Sequence, residues 1–435
     1  MKKNKGQKLW KKAKKIIPGG SMLFSKKSEL HLPNKWPSYY TKSSGYNVWD
    51  LDNNKYIDMM FAVGTNILGY CNRKVDEEVR KIISSGVMTS LNCFEEVELA
   101  EKLIELHPWS DMARFARSGG EANTIAIRLA RAASGRDKIA VCGYHGWHDW
   151  YLAANLKKSS ILDNHLLPGL ESKGVPKNLK NTIMTFEYND INRLNEIISN
   201  NKIGAIKMEV SRNQKPSKEF LKKIRRISSK NNIILIFDEC TSGFRQSLGG
   251  IHLNYGINPD MAVFGKALGN GYAISSVVGK KDIMKEANSS FISSTFWTER
   301  IGPVAALKTL EIINKTKSWK KIPYYGSLIK KSWEKLANKY DLSITIQGID
   351  SLPSFYFNYK NNYAYKTYLT QEMLKRKYLA SNLVYVSLVH SKEIIEKYIE
   401  ILDPIFLTIK ECENGKNIFQ LLDGPICQSG FKRLN

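Results

Sequence analysis

The sequence lacks the features that mark a membrane protein or a secreted protein. It has no apolar run long enough to span a bilayer, and its basic N-terminus lacks the apolar stretch of a signal peptide. Its six cysteines show no paired spacing, which argues against a disulfide framework and against a zinc site. Internal repeats and low-complexity segments are also missing. We therefore expect a globular protein with free thiols in the cytoplasm.

Acidic residues are in short supply: 41 of them face 66 lysines and arginines, which gives a net charge of +25 at pH 7. One interpretation of this charge is a protein without catalytic activity that binds nucleic acid or an anionic membrane with strongly salt-dependent affinity. Apart from the first 15 residues, however, the lysines are dispersed, and no known nucleic-acid motif is present. We expect neither nucleic acid nor a membrane as a partner.

Between about residues 70 and 300, short apolar runs alternate with helical patterns. Helix signals lie between the runs, such as the capping-box spacing of Asn92 and Glu95. Near-continuous apolar strands separated by helices are typical of a largely parallel sheet that is covered on both faces. The runs are Lys138–Cys142, Ala205–Val210, Ile233–Phe237, Met261–Phe264 and Ser275–Val278.

The regions on either side of this pattern differ from it. Two alternating segments around Asp52-Asn53-Asn54 predict a hairpin, and longer helical patterns follow residue 305. A chain of 435 residues exceeds one ordinary domain. We predict an α/β fold with a large domain at 65–304 and a smaller α+β domain built from both chain ends, 1–64 and 305–435.

Asp238 and Lys266 each stand just after one of the apolar runs. Asp238 follows Ile233–Phe237 directly, and Lys266 follows Met261–Phe264 after one glycine. Open α/β sheets bind ligands at the carboxyl ends of their strands. A carboxylate and an amine there suit pyridoxal phosphate (PLP): the lysine would hold it as a Schiff base, and the aspartate would keep its ring nitrogen protonated. Alternatively, Asp238 and Glu239 form a surface carboxylate pair.

Glycines accompany two of these positions. The stretch that follows Lys266 is rich in glycine but matches neither the dinucleotide motif nor the P-loop in spacing. Ser118, Gly119 and Gly120 precede a helical pattern, where backbone amides and the helix dipole can bind a phosphate group. Two glycines before a helix also occur in ordinary tight turns.

An aromatic and histidine cluster follows the run Lys138–Cys142. Tyr144 could stack on a planar cofactor ring, with His145 beside it. A rival interpretation is a metal site built from His145, His148 and Asp149. No third cluster at ligand spacing supports a metal, so we expect none.

Four segments together resemble the class III aminotransferases of PLP fold type I, and among them most closely glutamate-1-semialdehyde 2,1-aminomutase and its aminotransferase relatives. The resemblance covers nearly the whole chain, and the ordered set is specific although no single piece is. The segments are SGGEANTIAIRLARAASGRDKIAVCGYHGWHDW, IFDECTSGFRQSLGG, PDMAVFGKALGNGYAISSVVG and SSTFWTERIGPVAAL.

The resemblance implies roles for the central residues. Lys266 matches the Schiff-base lysine, Asp238 the partner of the pyridine nitrogen and Tyr144 the stacking aromatic, and these three are the expected catalytic residues. His145 lies beside the stacking aromatic and is expected to contact the cofactor.

The resemblance also implies further cofactor contacts. Ser118, Gly119 and Gly120 match the phosphate-binding turn, and Asn213 resembles an asparagine near the phenolic oxygen. Thr295 matches a threonine that reaches the cofactor phosphate of the other subunit, so a homodimer is implied.

Three positions depart from the family pattern. Gly120 stands where a serine or threonine is usual, so one hydroxyl contact to the phosphate is missing. Val210 replaces a proline, and Lys26 stands near the place where the aminomutase has an arginine for the substrate carboxylate. A lysine lacks the bidentate fork of arginine.

The resemblance therefore implies a PLP-dependent aminotransferase that moves an amino group from a donor to a keto or aldehyde group of a small metabolite. The alternative is an aminomutase, which moves the group within one molecule.

Overall fold

The computed structural model describes residues 4–165 and 168–430. Residues 1–3, 166–167 and 431–435 lie outside the described residues, and so do the outer ends of the predicted segments 1–64 and 305–435.

Strands and helices are distributed along the described residues and are separated by turns and loops. The strands are β1 Tyr40–Ser44, β2 Asn47–Asp50, β3 Lys55–Asp58, β4 Met112–Ala116, β5 Lys138–Cys142, β6 Ile183–Thr185, β7 Ile203–Glu209, β8 Ile234–Asp238, β9 Met261–Phe264, β10 Ser275–Gly279, β11 Ile344–Gln347, β12 Ser354–Phe357 and β13 Tyr378–Leu379. The helices are α1 Lys5–Ile16, α2 Phe61–Gly64, α3 Arg73–Ser85, α4 Glu95–Leu106, α5 Gly119–Ser134, α6 Asp149–Leu152, α7 Ile191–Asn200, α8 Lys218–Lys230, α9 Lys281–Met284, α10 Ile301–Thr316, α11 Ser318–Lys339, α12 Asn362–Lys375 and α13 Lys392–Glu413.

A seven-stranded sheet carries the order β4-β10-β9-β8-β7-β5-β6. Its strands β6, β5, β7, β8 and β9 pair in parallel, and their residues are almost all buried, which confirms the prediction of a largely parallel sheet covered by helices. Strand β10 is antiparallel to both of its neighbours. Only residues 265–274 join β9 to β10, and this is too short for the crossover that a parallel pair needs.

Helix α5 covers one face of this sheet. Its residues Ala122, Ile125, Ala126 and Leu129 recur at helical spacing and pack in one buried cluster with side chains of β5, β7, β8 and β9. The helix starts at a capping box, in which the Ser118 hydroxyl accepts from the Glu121 amide and the Glu121 carboxylate accepts from the Ser118 amide.

The capping box predicted at Asn92 and Glu95 is wrong. Helix α4 begins at Glu95 itself, and Phe94, with helical backbone angles, takes the position before it without a side-chain cap. Asn92 lies too far from the helix to cap it. The carboxylate of Glu95 instead pairs with Arg300, at 2.7 Å from its Nη2.

The chain divides into two compact units, one containing residues up to Asn72 and from Lys321 onward, the other Arg73–Lys320. Both divisions lie further along the chain than the expected ones at 64/65 and 304/305. Helix α10 belongs to the larger unit because it packs on α3 and α4. In the smaller unit, β13 pairs in parallel with β3 of the hairpin β2–β3 and so joins the two chain ends.

Among the helices of residues 4–165 and 168–430, none combines the length and the apolar character that crossing a bilayer requires.

Candidate active site

The three predicted catalytic residues meet at the carboxyl edge of the parallel strands. Asp238 is the last residue of β8, and Lys266 follows β9 after Gly265. Tyr144 follows β5 after one glycine, and Glu209 ends β7. Because these four strands run in parallel, their carboxyl ends lie at one edge of the sheet.

Lys266 begins a short 3₁₀ turn, and its own backbone lies in the left-handed region with φ of 44°. Its Nζ donates a hydrogen bond to Oγ1 of Thr241 at 3.0 Å. Burial lowers the pKa of Lys266, and the cationic Arg212 lowers it further. Both effects favour the neutral amine, which is the form that can act as a nucleophile or a base.

Asp238 is buried, with 2% of its surface exposed. Its Oδ2 accepts a hydrogen bond from Nδ1 of His145 at 2.9 Å, and its Oδ1 accepts one from the Cys240 amide at 3.1 Å. Burial alone would raise the pKa of Asp238, but the nearby Lys207 ammonium and the His145 hydrogen bond outweigh it, so the pKa lies well below its usual value. The side chain is therefore an ionised acceptor.

His145 connects Asp238 to the end of β5. Its ring is fully buried, and its Nε2 lies 3.1 Å from the carbonyl oxygen of Cys142. The Asp238 carboxylate can only accept, so the Nδ1 that faces it is the donor. The Asn123 side-chain amide of α5 donates to the His145 carbonyl at 3.2 Å and holds the loop in place.

Tyr144 is half-buried: its ring packs against the apolar cluster under α5, and the charged groups of Arg212, Glu209 and Asp238 lie near it. Its amide donates to Oε2 of Glu209 at 3.0 Å, and Tyr151 meets its ring edge to face. The guanidinium of Arg212 lies 5.8 Å from the ring centroid and pairs with Oε1 of Glu209 at 3.3 Å. Burial raises the pKa of Tyr144, so the phenol stays neutral. An aromatic face and a cation thus border the same space.

Gly119 and Gly120 form the first turn of α5, next to the same edge. A Cβ at Gly119 would stand 3.0 Å from Sγ of Cys240, and one at Gly120 would stand 3.0 Å from Nε2 of His148. A side chain at either position would therefore have to displace a neighbouring side chain, whereas glycine leaves the backbone of this turn accessible. The first amides of a helix have no partner within it, so they are available to an anion.

Asn213 and Thr295 are not brought to this cluster within the described chain. Asn213 is exposed in the loop after β7, and its neighbour Arg212 takes the position beside Tyr144. Thr295 is exposed at the start of a 3₁₀ turn, Thr295–Thr298. Trp297 of that turn donates to Oε1 of Glu121 at 3.0 Å, so the turn lies against the first turn of α5.

The two histidines of the rival metal interpretation have separate partners. His145 faces Asp238, whereas Nδ1 of His148 lies 2.8 Å from Oγ1 of Thr124. Within residues 4–165 and 168–430, the structure places no group of three or more histidine, cysteine, aspartate or glutamate side chains where they could hold a metal ion.

Sequence reasoning missed four residues of this region. Thr241 and Cys240 follow Asp238 within three positions, so the strand-end rule that selected Asp238 could have included them. Lys207 is a charged residue inside an otherwise apolar strand, which is a visible signal. Arg212 had no signal, because a loop does not fix which of two adjacent side chains turns inward.

Comparisons with known proteins agree on one family. A sequence model described as "Aminotransferase class-III" matches residues 32–419. The chain is 34% identical over 373 residues to 3-aminobutyryl-CoA aminotransferase of Cloacimonas acidaminovorans, which covers 83% of this chain and 86% of that protein. It is 32% identical over 361 residues to glutamate-1-semialdehyde 2,1-aminomutase of Methanobrevibacter smithii, covering 80% and 82%.

Solved structures share the fold at lower identity. The PLP internal aldimine form of the Sphingopyxis sp. MTA144 FumI protein superposes with a TM-score of 0.85 at 23% identity, over 97% of this chain and all of that one. An omega-transaminase from Sphaerobacter thermophilus superposes with a TM-score of 0.82 at 20% identity, over 94% and 98%. These likenesses show PLP fold type I.

Proposed function

Because the chain belongs to the class III aminotransferases, which depend on PLP, we propose that it transfers an amino group from a donor to a keto or aldehyde group of a small metabolite. The single observation that carries the residue assignment is the pairing of Lys266 and Asp238 at neighbouring strand ends, with the aromatic ring of Tyr144 beside them.

The donors and acceptors at this edge fit PLP. Asp238 is an ionised, buried acceptor for a ring N–H, and Lys266 is an amine for the aldehyde. Gly119 and Gly120 place backbone amides at the first turn of α5, where a phosphate can bind, and the His148 ring lies next to Gly120. We assign Asp238, Lys266 and the Gly119–Gly120 turn to cofactor binding, with Tyr144 against the cofactor ring.

The bound cofactor supplies an electron sink for the carbon that loses its proton. Lys266 would hold the cofactor through Nζ, and the same nitrogen, when free and neutral, would take the proton from the donor carbon and give it up again as the amino group is transferred. Thr241 Oγ1 holds this nitrogen in place. Asp238 would stabilise a proton on the ring nitrogen, and Tyr144 would shield the ring from water.

The test is the Lys266→Ala variant with Lys281→Ala as a matched control. Lys281 is an exposed lysine at the start of α9. Purified with PLP, the Lys266 variant should lack the visible absorbance of a lysine-bound cofactor and should lose turnover, while the control keeps both. Full activity of Lys266→Ala would refute the assignment.

A second candidate, an aminomutase, is favoured by the relatives of that name at about 30% identity. The two functions differ in their need for a donor, since an aminomutase converts its substrate alone. A panel of amino donors should convert the cofactor to its amine form, read by absorbance, if transfer is the reaction. Complete conversion of one substrate without any donor would establish the aminomutase instead.

We further propose that two copies of this chain form the active enzyme, with Thr295 reaching the cofactor of the other copy. Large apolar side chains support this, because they are exposed in the unit that holds the site: Phe291 at 90%, Leu91 at 83%, Trp147 at 71% and Phe296 at 68%. Mixing Lys266→Ala with Thr295→Ala chains gives a direct test. Mixed dimers should contain one intact site and should restore tight cofactor binding, whereas unrestored binding contradicts the shared site.

The cytoplasm is the proposed location, and the thiols support it. All six cysteines are free, and three of them are buried, namely Cys142, Cys240 and Cys427. Thiols of this kind are typical of a reducing compartment. Fractionation of cells that express the tagged chain would check this.

A further inference from the structure

Lys207 is a lysine in the middle of the core. It lies in β7, whose seven residues are all buried, and none of its surface is exposed. Its register partners are Val141 on β5 and Ile236 on β8, so its side chain shares their face of the sheet. Those two residues belong to the apolar cluster under α5. The amine is therefore held away from water among hydrocarbon side chains.

The Nζ of Lys207 has no hydrogen-bond partner among the described residues. Its nearest charged neighbour is Asp238, with Oδ2 4.0 Å away, and the other titratable groups near it are Glu209 and Cys240. A buried ammonium without compensation costs several kcal/mol, so opposite charge nearby is what allows it to exist. Asp238 is thus the main counter-charge of Lys207.

Asp238 has limited capacity to share. A carboxylate offers about four lone-pair positions, and His145 and the Cys240 amide already occupy one on each oxygen. The ring nitrogen of the cofactor needs a further one. A positive charge that is already close to Asp238 weakens the electrostatic stabilisation of a protonated ring nitrogen, because the two positive charges repel each other strongly in a site without water.

We propose that Lys207 is a positioning residue that competes with the cofactor's ring nitrogen for the Asp238 carboxylate. This inference rests on the proposed function, which places the ring nitrogen at Asp238. Lys207 provides the counter-charge of Asp238 before the cofactor binds, and it weakens the hold on the ring proton afterwards. Burial lowers the pKa of Lys207, and the Asp238 carboxylate works against this by stabilising the ammonium.

The test compares PLP with its analogue in which a C–H group replaces the ring nitrogen, because only the nitrogen distinguishes them. The dissociation constant of the analogue divided by that of PLP measures how strongly the site binds the ring nitrogen. Lys207→Met removes the charge and keeps an unbranched side chain in the apolar cluster. The ratio should rise about tenfold in this variant, which corresponds to ~1.4 kcal/mol.

Two further variants separate this effect from a general one. Lys202→Met removes an exposed lysine just before β7 and should leave the ratio unchanged. In an Asp238→Asn background, Lys207→Met should also leave the ratio unchanged, because the shared carboxylate is gone. An unchanged ratio in the Lys207→Met single variant, or an equal rise without Asp238, would overturn the inference.

A second measurement needs no variant. The ¹⁵N NMR signal of a ring-labelled cofactor in the wild-type enzyme reports the proton on the ring nitrogen directly. We expect that proton to be lost within the pH range in which the enzyme stays folded, and a fully protonated nitrogen throughout would contradict the inference. A wild-type enzyme that binds no PLP would instead refute the proposed function.

Discussion

Two adjacent carboxylates at the end of β8 have opposite surroundings. Glu239 is fully buried and saturated: its Oε1 accepts from the His252 amide and Nδ1 at 3.0 and 2.8 Å, and its Oε2 accepts from the Ile251 amide and the Ser242 hydroxyl. Asp238 is almost as buried, but within residues 4–165 and 168–430 its oxygens are reached by His145 and by the backbone amide and thiol of Cys240, which leaves acceptor positions unused. Four donors leave Glu239 nothing to offer a ligand, whereas Asp238 keeps an open position. Burial alone does not distinguish a structural carboxylate from a reactive one, but unused acceptor capacity does.

The largest expected effect comes from exchanging each carboxylate for its amide. Asp238→Asn should lower kcat on the order of 10²- to 10³-fold, because an uncharged amide no longer stabilises the ring proton. Glu239→Gln should cost about 3–5 kcal/mol of unfolding free energy, since it breaks a buried charge network. Steady-state kinetics and chemical denaturation of both variants measure this. Equal losses of kcat in the two variants would contradict the distinction between a reactive Asp238 and a structural Glu239.

A smaller loss of stability should follow when one of the four hydrogen-bond donors to Glu239 is removed. Ser242→Ala removes a buried hydroxyl that donates to the Glu239 carboxyl group, and a hydrogen bond of this kind contributes about 0.5–1.5 kcal/mol. The melting temperature should fall while the absorbance spectrum of the PLP-loaded enzyme stays the same. A changed spectrum would mean that the two carboxylates are not independent.

The smallest expected effect concerns pH. Because burial holds the pKa of Lys207 below the ordinary 10.5, the unfolded chain binds a proton that the folded chain has lost, in the window between the lowered pKa and 10.5. The cofactor-free enzyme should therefore gain stability as pH rises through that window, by at most ~1.4 kcal/mol per pH unit. Denaturation at several pH values should show a flatter profile for Lys207→Met than for wild type. Identical profiles would mean that Lys207 carries no buried charge.

The sequence located the residues that stand directly after buried strands. Asp238 and Lys266 follow runs that form β8 and β9 within one residue of the predicted bounds, because continuous apolar runs leave little doubt about where a buried strand ends. The hairpin β2–β3 was equally readable from its turn residues. Strand ends are a local property, so local sequence is enough to find them.

Contacts between distant segments were beyond the same reasoning. The side chain beside Tyr144 belongs to Arg212 and not to Asn213, and the His148 ring takes the space next to Gly120. Both outcomes depend on how loops from different strands meet, which no local pattern encodes. The antiparallel direction of β10 was hidden for a related reason, since only the short link after Lys266 decides it.

The backbone angle of Lys266 bears on how this enzyme should be inactivated. A residue with a side chain pays of order 1–3 kcal/mol to hold a left-handed φ such as 44°, and glycine pays almost nothing. Alanine in this position removes the amine but keeps the unfavourable backbone angle, whereas glycine removes the amine and also relieves the backbone strain. An inactive mutant intended to trap substrates in their native pose is thus better built with alanine, and one intended for thermal robustness with glycine.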